Sequence, residues 1–299
     1  MNEPRYINPF TDFGFKKIFG EEPNKDLLID FVNQLLKEQN VEIKDLTLKR
    51  NEHLGVTDLD RRVVLDLYCE NEKGEKFIVE MQKAKQSFFK DRTLFYTTFP
   101  IQEQAVKGAN WNYELKAVYA IAVLDFEFEP HEENRKVVTT AKITDTESCK
   151  VFYDKLTFIY VQMPVFSKTV DELETRLDKW LYVLKNLEKF ERIPEKIKDK
   201  IFEKVFKISE FQKLTKSERD AYEDSLKYYR DLKNSLDTAF DEGKAEAEKE
   251  LLPIIEEERR QKRELQYKTA KELLAEGFST QRISQITDLP LEEIEKLRS

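Results

Sequence analysis

The chain has 299 residues, room for one large α/β domain with appendages, and carries 51 Lys and Arg against 59 Asp and Glu, a net charge of −8. That balance excludes a protein that coats DNA by bulk electrostatics, and no apolar run approaches the roughly 20 residues of a membrane helix. Cys69, Cys149, His53 and His131, the only residues of their kinds, lack the paired spacing of a cysteine and histidine zinc site. The start, Met1-Asn2-Glu3-Pro4-Arg5, has no basic and apolar leader, so a soluble cytoplasmic protein is expected. Both cysteines are expected to be small buried hydrophobes.

Pro23-Asn24-Lys25-Asp26 reads as a helix start, because Leu27, Leu28, Phe31, Val32, Leu35 and Leu36 follow at helical spacing. A strand is expected over 41–50. Two more follow at 63–68 and 77–82, separated by a turn at 70–75 whose single glycine is Gly74, which predicts an antiparallel hairpin. Asp66 and Glu80 each sit inside an apolar strand, where an unpaired carboxylate is costly to bury. Side chains alternate along a strand, so Phe77, Val79 and Met81 share one face while Ile78, Glu80 and Gln82 share the other. Two carboxylates on adjacent strands suit a hard divalent cation, which takes one or two carboxylates, waters and phosphate oxygens.

A helix is expected over about 87–107, kinked or split at Pro100. The near-continuous apolar runs at 117–124 and 156–161 predict central strands covered on both faces. Residues 127–150 are polar and read as a hairpin or a surface excursion without chemistry. Beyond Asp171 the pattern is helical, with Leu173, Leu177, Trp180, Leu181, Leu184 and Leu187 on one stripe and helix continuing to about Phe240. The charge runs at 243–249 and 256–263 read as a solvated helix or linker. Three short helices at 267–275, 280–286 and 291–297 outline a helix-turn-helix. Glu292, Glu293 and Glu295 on the last one favour protein contact over groove reading.

Several segments carry a family resemblance in the order they occur. They are Asn8-Pro9-Phe10-Thr11-Asp12-Phe13-Gly14-Phe15-Lys16-Lys17-Ile18-Phe19-Gly20, then Val79-Glu80-Met81-Gln82-Lys83-Ala84-Lys85-Gln86 with Lys90-Asp91-Arg92, then Val118-Tyr119-Ala120-Ile121. Together they resemble the Rpn family of recombination-promoting nucleases, also described as PD-(D/E)XK nuclease family transposases, nearly end to end. The resemblance implies an α/β fold, a restriction-endonuclease-like PD-(D/E)XK core with a helical C-terminal extension. The expected organisation is a nuclease domain at 1–190, a helical extension at 191–242, and a charged connector with a small helical module at 243–299.

It also implies a metal-dependent DNA endonuclease with a recombination-promoting role. Asp66, one Glu80 oxygen and the Met81 carbonyl would bind Mg²⁺ or Mn²⁺. Gln82 stands where many members of the fold have lysine; its amide can orient water or touch phosphate but brings no charge, and Gln82→Lys, which recreates the commoner motif, is expected to retain or partly restore cleavage. Asp12 and Glu52 are accessory candidates, with helix capping the alternative for Asp12 and simple solvation that for Glu52. Lys83, Lys85, Lys90 and Arg92 are candidate DNA-phosphate contacts, against a solvated helix start; Lys83 is expected on the strand face opposite Gln82. Gln86, Arg92 and Tyr96 lie where a helix can carry them past the cleft. DNA is the expected partner, and the C-terminal helices offer a homodimer surface. The rival reading is a catalytically weak DNA-binding or assembly protein on a degenerate nuclease fold.

Overall fold

The computed structural model describes residues 4–49, 52–53, 63–105, 112–128 and 135–298. His131 and the leader reading of the first three residues lie outside them, as do the side chains of Glu52, His53, Val63 and Val64. In chain order the elements are α1 (Asp12–Phe19), α2 (Lys25–Leu36), β1 (Leu46–Leu48), β2 (Glu52–His53), β3 (Val63–Val64), β4 (Leu67–Asn71), β5 (Lys76–Gln82) and α3 (Phe89–Gln102). β6 (Val118–Leu124), β7 (Val138–Thr144), β8 (Val151–Gln162), α4 (Arg176–Asn186), α5 (Lys200–Ile208), α6 (Lys216–Ala275), α7 (Thr280–Thr287) and α8 (Leu291–Arg298) follow. A six-stranded sheet runs β1-β4-β5-β6-β8-β7, and β2 with β3 form a separate antiparallel pair.

The β4–β5 hairpin turns at Gly74, whose φ of +79° a side chain would strain. Asn71 Oδ1 holds the same turn by accepting the N–H groups of Lys73 and Glu75. Register places Leu67 opposite Val79. β5, β6 and β8 are parallel, and all seven residues of β6 are buried, as its unbroken apolar run requires of a strand covered on both faces. Phe77, Val79 and Met81 enter the main core with Phe15, Phe31 and Trp180. Ile78 packs on the other face with Leu65 and Tyr68, against Tyr96 and Phe99 of α3. The alternation of β5 therefore puts Glu80 and Gln82 on the face that α3 covers.

Thr11 caps α1 by accepting the Gly14 N–H, so Asp12 is a first-turn residue and not the cap. Gly14 is required by space: a Cβ there would overlap the Asn8 carbonyl. On the main-core face Phe19, Phe31 and Phe202 surround Trp180 at centroid distances of 5.0 to 5.6 Å. Asp30 accepts the Trp180 indole N–H at 2.6 Å and the Arg176 Nε–H at 2.8 Å, so its buried-edge carboxylate is satisfied.

Several expectations change. The strand expected over 63–68 breaks at Leu65 and Asp66, because carboxylates take the backbone bonds that a ladder would supply. The strand expected over 41–50 shortens to β1; Asn33 instead accepts the Ile43 N–H at 2.8 Å and donates to its carbonyl at 2.9 Å. α3 runs through Pro100, which falls in its last turn, and ends at Gln102. Cys69 is buried, but Cys149 is exposed in the β7–β8 turn at φ +55°. Residues 127–150 contribute β7, the edge strand.

The chain divides into two compact units, Met1–Lys233 and Asn234–Ser299. In the second, Ala270, Ile283, Leu289 and Ile294 form a small core with Tyr267, Leu273, Leu274 and Leu297. Left-handed Gly277 and Asp288 set its turns. The expected first helix of this module is the end of α6, whose 60 residues continue through Gly243 and Pro253. Alanine, glutamate, lysine and arginine dominate that stretch and favour helix. Glu293 accepts from Arg263 at 2.8 Å and from Tyr267, so it ties α8 to α6. Among the described residues no helix is long and apolar enough to cross a membrane.

Candidate active site

Asp66 stands just before β4, where the strand leaves the ladder. Its backbone N–H donates to Glu80 Oε1 at 2.9 Å, and its own Oδ2 accepts the Met81 N–H at 2.7 Å. Each carboxylate thus accepts a backbone N–H from the facing segment, Glu80 from Asp66 and Asp66 from Met81, across the open end of the hairpin. Glu80 Oε2 also accepts from Gln82 Nε2 at 3.0 Å. Glu80 is 5% exposed and Gln82 8%, so both belong to the interior. A residue's N–H and C=O point to the same edge of a strand, and the Met81 carbonyl accordingly faces the edge where Asp66 lies.

Burial pushes the Glu80 carboxyl up to about 8, and the neighbouring Asp66 charge adds to the shift. Burial also raises the Asp66 carboxyl, opposed by the Met81 N–H and reinforced by Asp12. Two acids held together away from water cannot both be ionised cheaply. A proton or a cation between them relieves the repulsion. Among the described residues no group of three or more His, Cys, Asp or Glu is gathered to hold a metal. The donors at this place are two carboxylates with a backbone carbonyl beside them, an all-oxygen set that fits Mg²⁺ or Mn²⁺ better than zinc.

Cations approach the pair from both faces, Arg92 on the Glu80 side and Lys83 with Lys16 on the Asp66 side. α3 brings Arg92, whose Nη2 donates to Gln82 Oε1 and whose Nη1 donates to Gln86 Oε1. Its guanidinium lies 5.4 Å from the Tyr96 ring centroid and 5.7 Å from that of Phe89. Tyr96 packs on the Leu65, Tyr68 and Ile78 cluster, and burial raises its hydroxyl, with Arg92 opposing and Glu80 and Asp66 adding to the shift. Lys83 comes from the other face. Its ammonium lies over Tyr228, 5.5 Å from the ring centroid, and burial lowers its pKa while Asp12 and Asp66 oppose that shift.

Asp12 joins Asp66 in lining an open cleft of about 430 Å³, with Lys16, Tyr68 and Ser225. The Asp12 carboxylate pairs with Lys16 at 2.9 Å. Of the expected phosphate contacts, Arg92 bonds Gln82, the neighbour of Glu80, and Lys83 lies on the opposite face within the influence of Asp12 and Asp66. Lys85 and Lys90 are exposed and turn toward Phe128, Lys85 donating to its carbonyl and Lys90 lying 5.4 Å from its ring centroid. Glu52 belongs to β2, and its side chain lies outside the described residues. Residue spacing foreshadowed one further contact: Arg92 and Tyr96, four apart, share a face of α3. Nothing local announced Tyr228, which arrives from α6.

A mixed sheet with helices packed on it, and an acidic hairpin end beneath α3, is the architecture of a PD-(D/E)XK nuclease core with a helical C-terminal region. The chain belongs to the PD-(D/E)XK nuclease family transposases, whose family model matches residues 9–239. Nothing among curated proteins or solved structures matches it.

Proposed function

We propose that this chain hydrolyses DNA phosphodiester bonds at the Asp66 and Glu80 pair in a reaction that depends on Mg²⁺ or Mn²⁺, and that its biological setting is the promotion of recombination. The observation that carries this reading is a buried Glu80 beside a half-buried Asp66 that lines the cleft, each carboxylate held by a backbone N–H of the facing segment; a divalent cation relieves their repulsion. Asp66, one Glu80 oxygen and the Met81 carbonyl are the protein ligands in this proposal. A cation held there would supply Lewis-acid polarisation of the phosphate and a more acidic bound water.

The chain's own residues do the rest. Met81 N–H fixes the direction of the Asp66 carboxylate, and Asp66 N–H fixes that of Glu80. The Gln82 amide, on the same strand face as Glu80, orients the attacking water or contacts a phosphate oxygen. Lys83 contacts a phosphate from the α1 side, with Lys85 and Lys90 meeting the strand further out. Asp12 and Glu52 are the accessory acids. The chemistry belongs to residues 1–190, with 191–242 extending that domain and 243–299 serving assembly, including a homodimer through the C-terminal helices; the cytoplasm is the compartment.

The test is nicking of supercoiled plasmid by purified protein in Mg²⁺, Mn²⁺, Ca²⁺ or EDTA, with Asp66→Asn beside the wild type. Cleavage by the wild type in Mg²⁺ or Mn²⁺ alone, lost in Asp66→Asn with the fold retained, is expected. DNA binding without cleavage in any cation would favour the reading of a degenerate nuclease fold.

A further inference from the structure

Gln82 raises a question of charge. A strand lysine at this place, as in the commoner motif, would bring a cation to the reacting phosphate, and an amide does not. The structure puts a guanidinium directly behind that amide. Arg92 donates to Gln82 Oε1, and Gln82 Nε2 donates on to Glu80 Oε2 at 3.0 Å. Because a guanidinium only donates, the bond from Arg92 requires the Gln82 amide oxygen on its side and so turns the Gln82 NH₂ toward Glu80.

Arg92 is unusual in its surroundings. Its hydrogen bonds go to two neutral amide oxygens, those of Gln82 and Gln86. Its Nε is buried and has no hydrogen-bond partner. Two aromatic rings, Tyr96 and Phe89, lie against the guanidinium. A partly buried cation whose bonded partners are neutral keeps its field, and that field reaches Glu80, where it opposes the effect of burial.

We infer that Arg92 is the positioning residue that supplies this site's positive charge, acting through Gln82 in place of the strand lysine. The inference rests on the proposed nuclease reading. It reverses the expectation for Gln82→Lys drawn from sequence: an ammonium at position 82 removes the acceptor that Arg92 needs and sets two cations side by side. The single Gln82→Lys protein should therefore be impaired. Combined with Arg92→Gln, the charge is moved onto the strand and the repulsion is gone.

The experiment compares the full-length wild type with Arg92→Gln, Arg92→Lys, Gln82→Lys and the Gln82→Lys/Arg92→Gln double variant. Plasmid nicking, Mn²⁺ affinity by calorimetry and thermal unfolding are measured on each. Removal of a charge-stabilising donor typically costs on the order of 10²-fold in rate, and that loss is expected for Arg92→Gln and for Gln82→Lys. Arg92→Lys should keep about a tenth of wild-type activity or more, and the double variant should recover to within about tenfold. Mn²⁺ should bind Arg92→Gln severalfold more tightly, since a nearby cation has been removed while the acids remain. A merely structural Arg92 would loosen both cleavage and Mn²⁺ binding. The inference is overturned if Arg92→Gln cleaves at the rate of an active wild type, if Mn²⁺ affinity falls or stays unchanged, or if the double variant folds but recovers nothing. A wild type inactive in every cation removes the nuclease reading and this inference with it.

Discussion

Replacing Glu80 by glutamine should stabilise the cation-free protein near neutral pH, although it removes a proposed metal ligand. In the unfolded chain Glu80 titrates at its ordinary value of 4.5, and in the fold burial and Asp66 push it up to about 8. Its folded pKa is raised, so the stability it contributes is present below 4.5 and is lost as pH rises toward 8. Taking up a proton on folding near pH 7 costs about 3 kcal/mol at roughly 1.4 kcal/mol per pH unit. At 5% exposure little of this is screened by solvent. The glutamine is neutral at every pH and avoids that cost. Its amide oxygen can keep the Asp66 N–H, but its NH₂ then faces the Gln82 NH₂, which is held by Arg92. One lost hydrogen bond costs about 1 kcal/mol. The net gain is about 2 kcal/mol near pH 7, and the two stability curves should cross near about pH 5. Urea or thermal unfolding in EDTA from pH 4.5 to 8 reads the difference directly. Added Mg²⁺ should stabilise the wild type at the alkaline end and leave Glu80→Gln unmoved. Parallel curves across that range would refute the electrostatic account of the pair.

Gly14→Ala should destabilise by about 1–3 kcal/mol or more, because its Cβ overlaps the Asn8 carbonyl at the start of α1; a thermal midpoint equal to the wild type would show that the Asn8 turn yields freely. A chain ending at Asp241 should fold and keep metal-dependent cleavage, since Asp66, Glu80, Gln82 and Arg92 all belong to the unit Met1–Lys233; loss of cleavage with the fold intact would place part of the chemistry in the C-terminal unit. Sedimentation of the same truncation should reveal a lower oligomeric state if residues 243–299 serve assembly. Trp180→Ala should cost about 3–5 kcal/mol, because Trp180 is fully buried among Phe19, Phe31 and Phe202; a loss below about 1 kcal/mol would mean that this part of the core collapses around the cavity.

The hairpin, its faces and the two central strands were legible because each is written in local periodicity: two residues for β5, an unbroken apolar run for β6 and β8. The break at Leu65 and Asp66 was not. It arises from carboxylates bonding to backbone N–H groups fourteen and fifteen residues away, and propensity carries no trace of such bonds. Arg92 was visible as a basic residue near the motif, but its place behind Gln82 depends on where α3 lands on the sheet. Lys83 was assigned to the face opposite Gln82; that its ammonium lies over Tyr228 depends on α6, about 145 residues on in sequence. The 60-residue α6 was read as helix to about Phe240, a solvated helix or linker at 243–249 and 256–263, and a separate short helix at 267–275, because charge runs carry no apolar stripe; helix-forming residues carry it on through Gly243 and Pro253.

The account turns on a divalent cation between Asp66 and Glu80. Crystals grown with Mn²⁺, measured at its absorption edge, test this most directly. One anomalous peak is predicted about 2 Å from an oxygen of each carboxylate, absent in crystals of Asp66→Asn grown in the same Mn²⁺. No peak there at saturating Mn²⁺, or a peak elsewhere in crystals of protein that cleaves DNA, would contradict it.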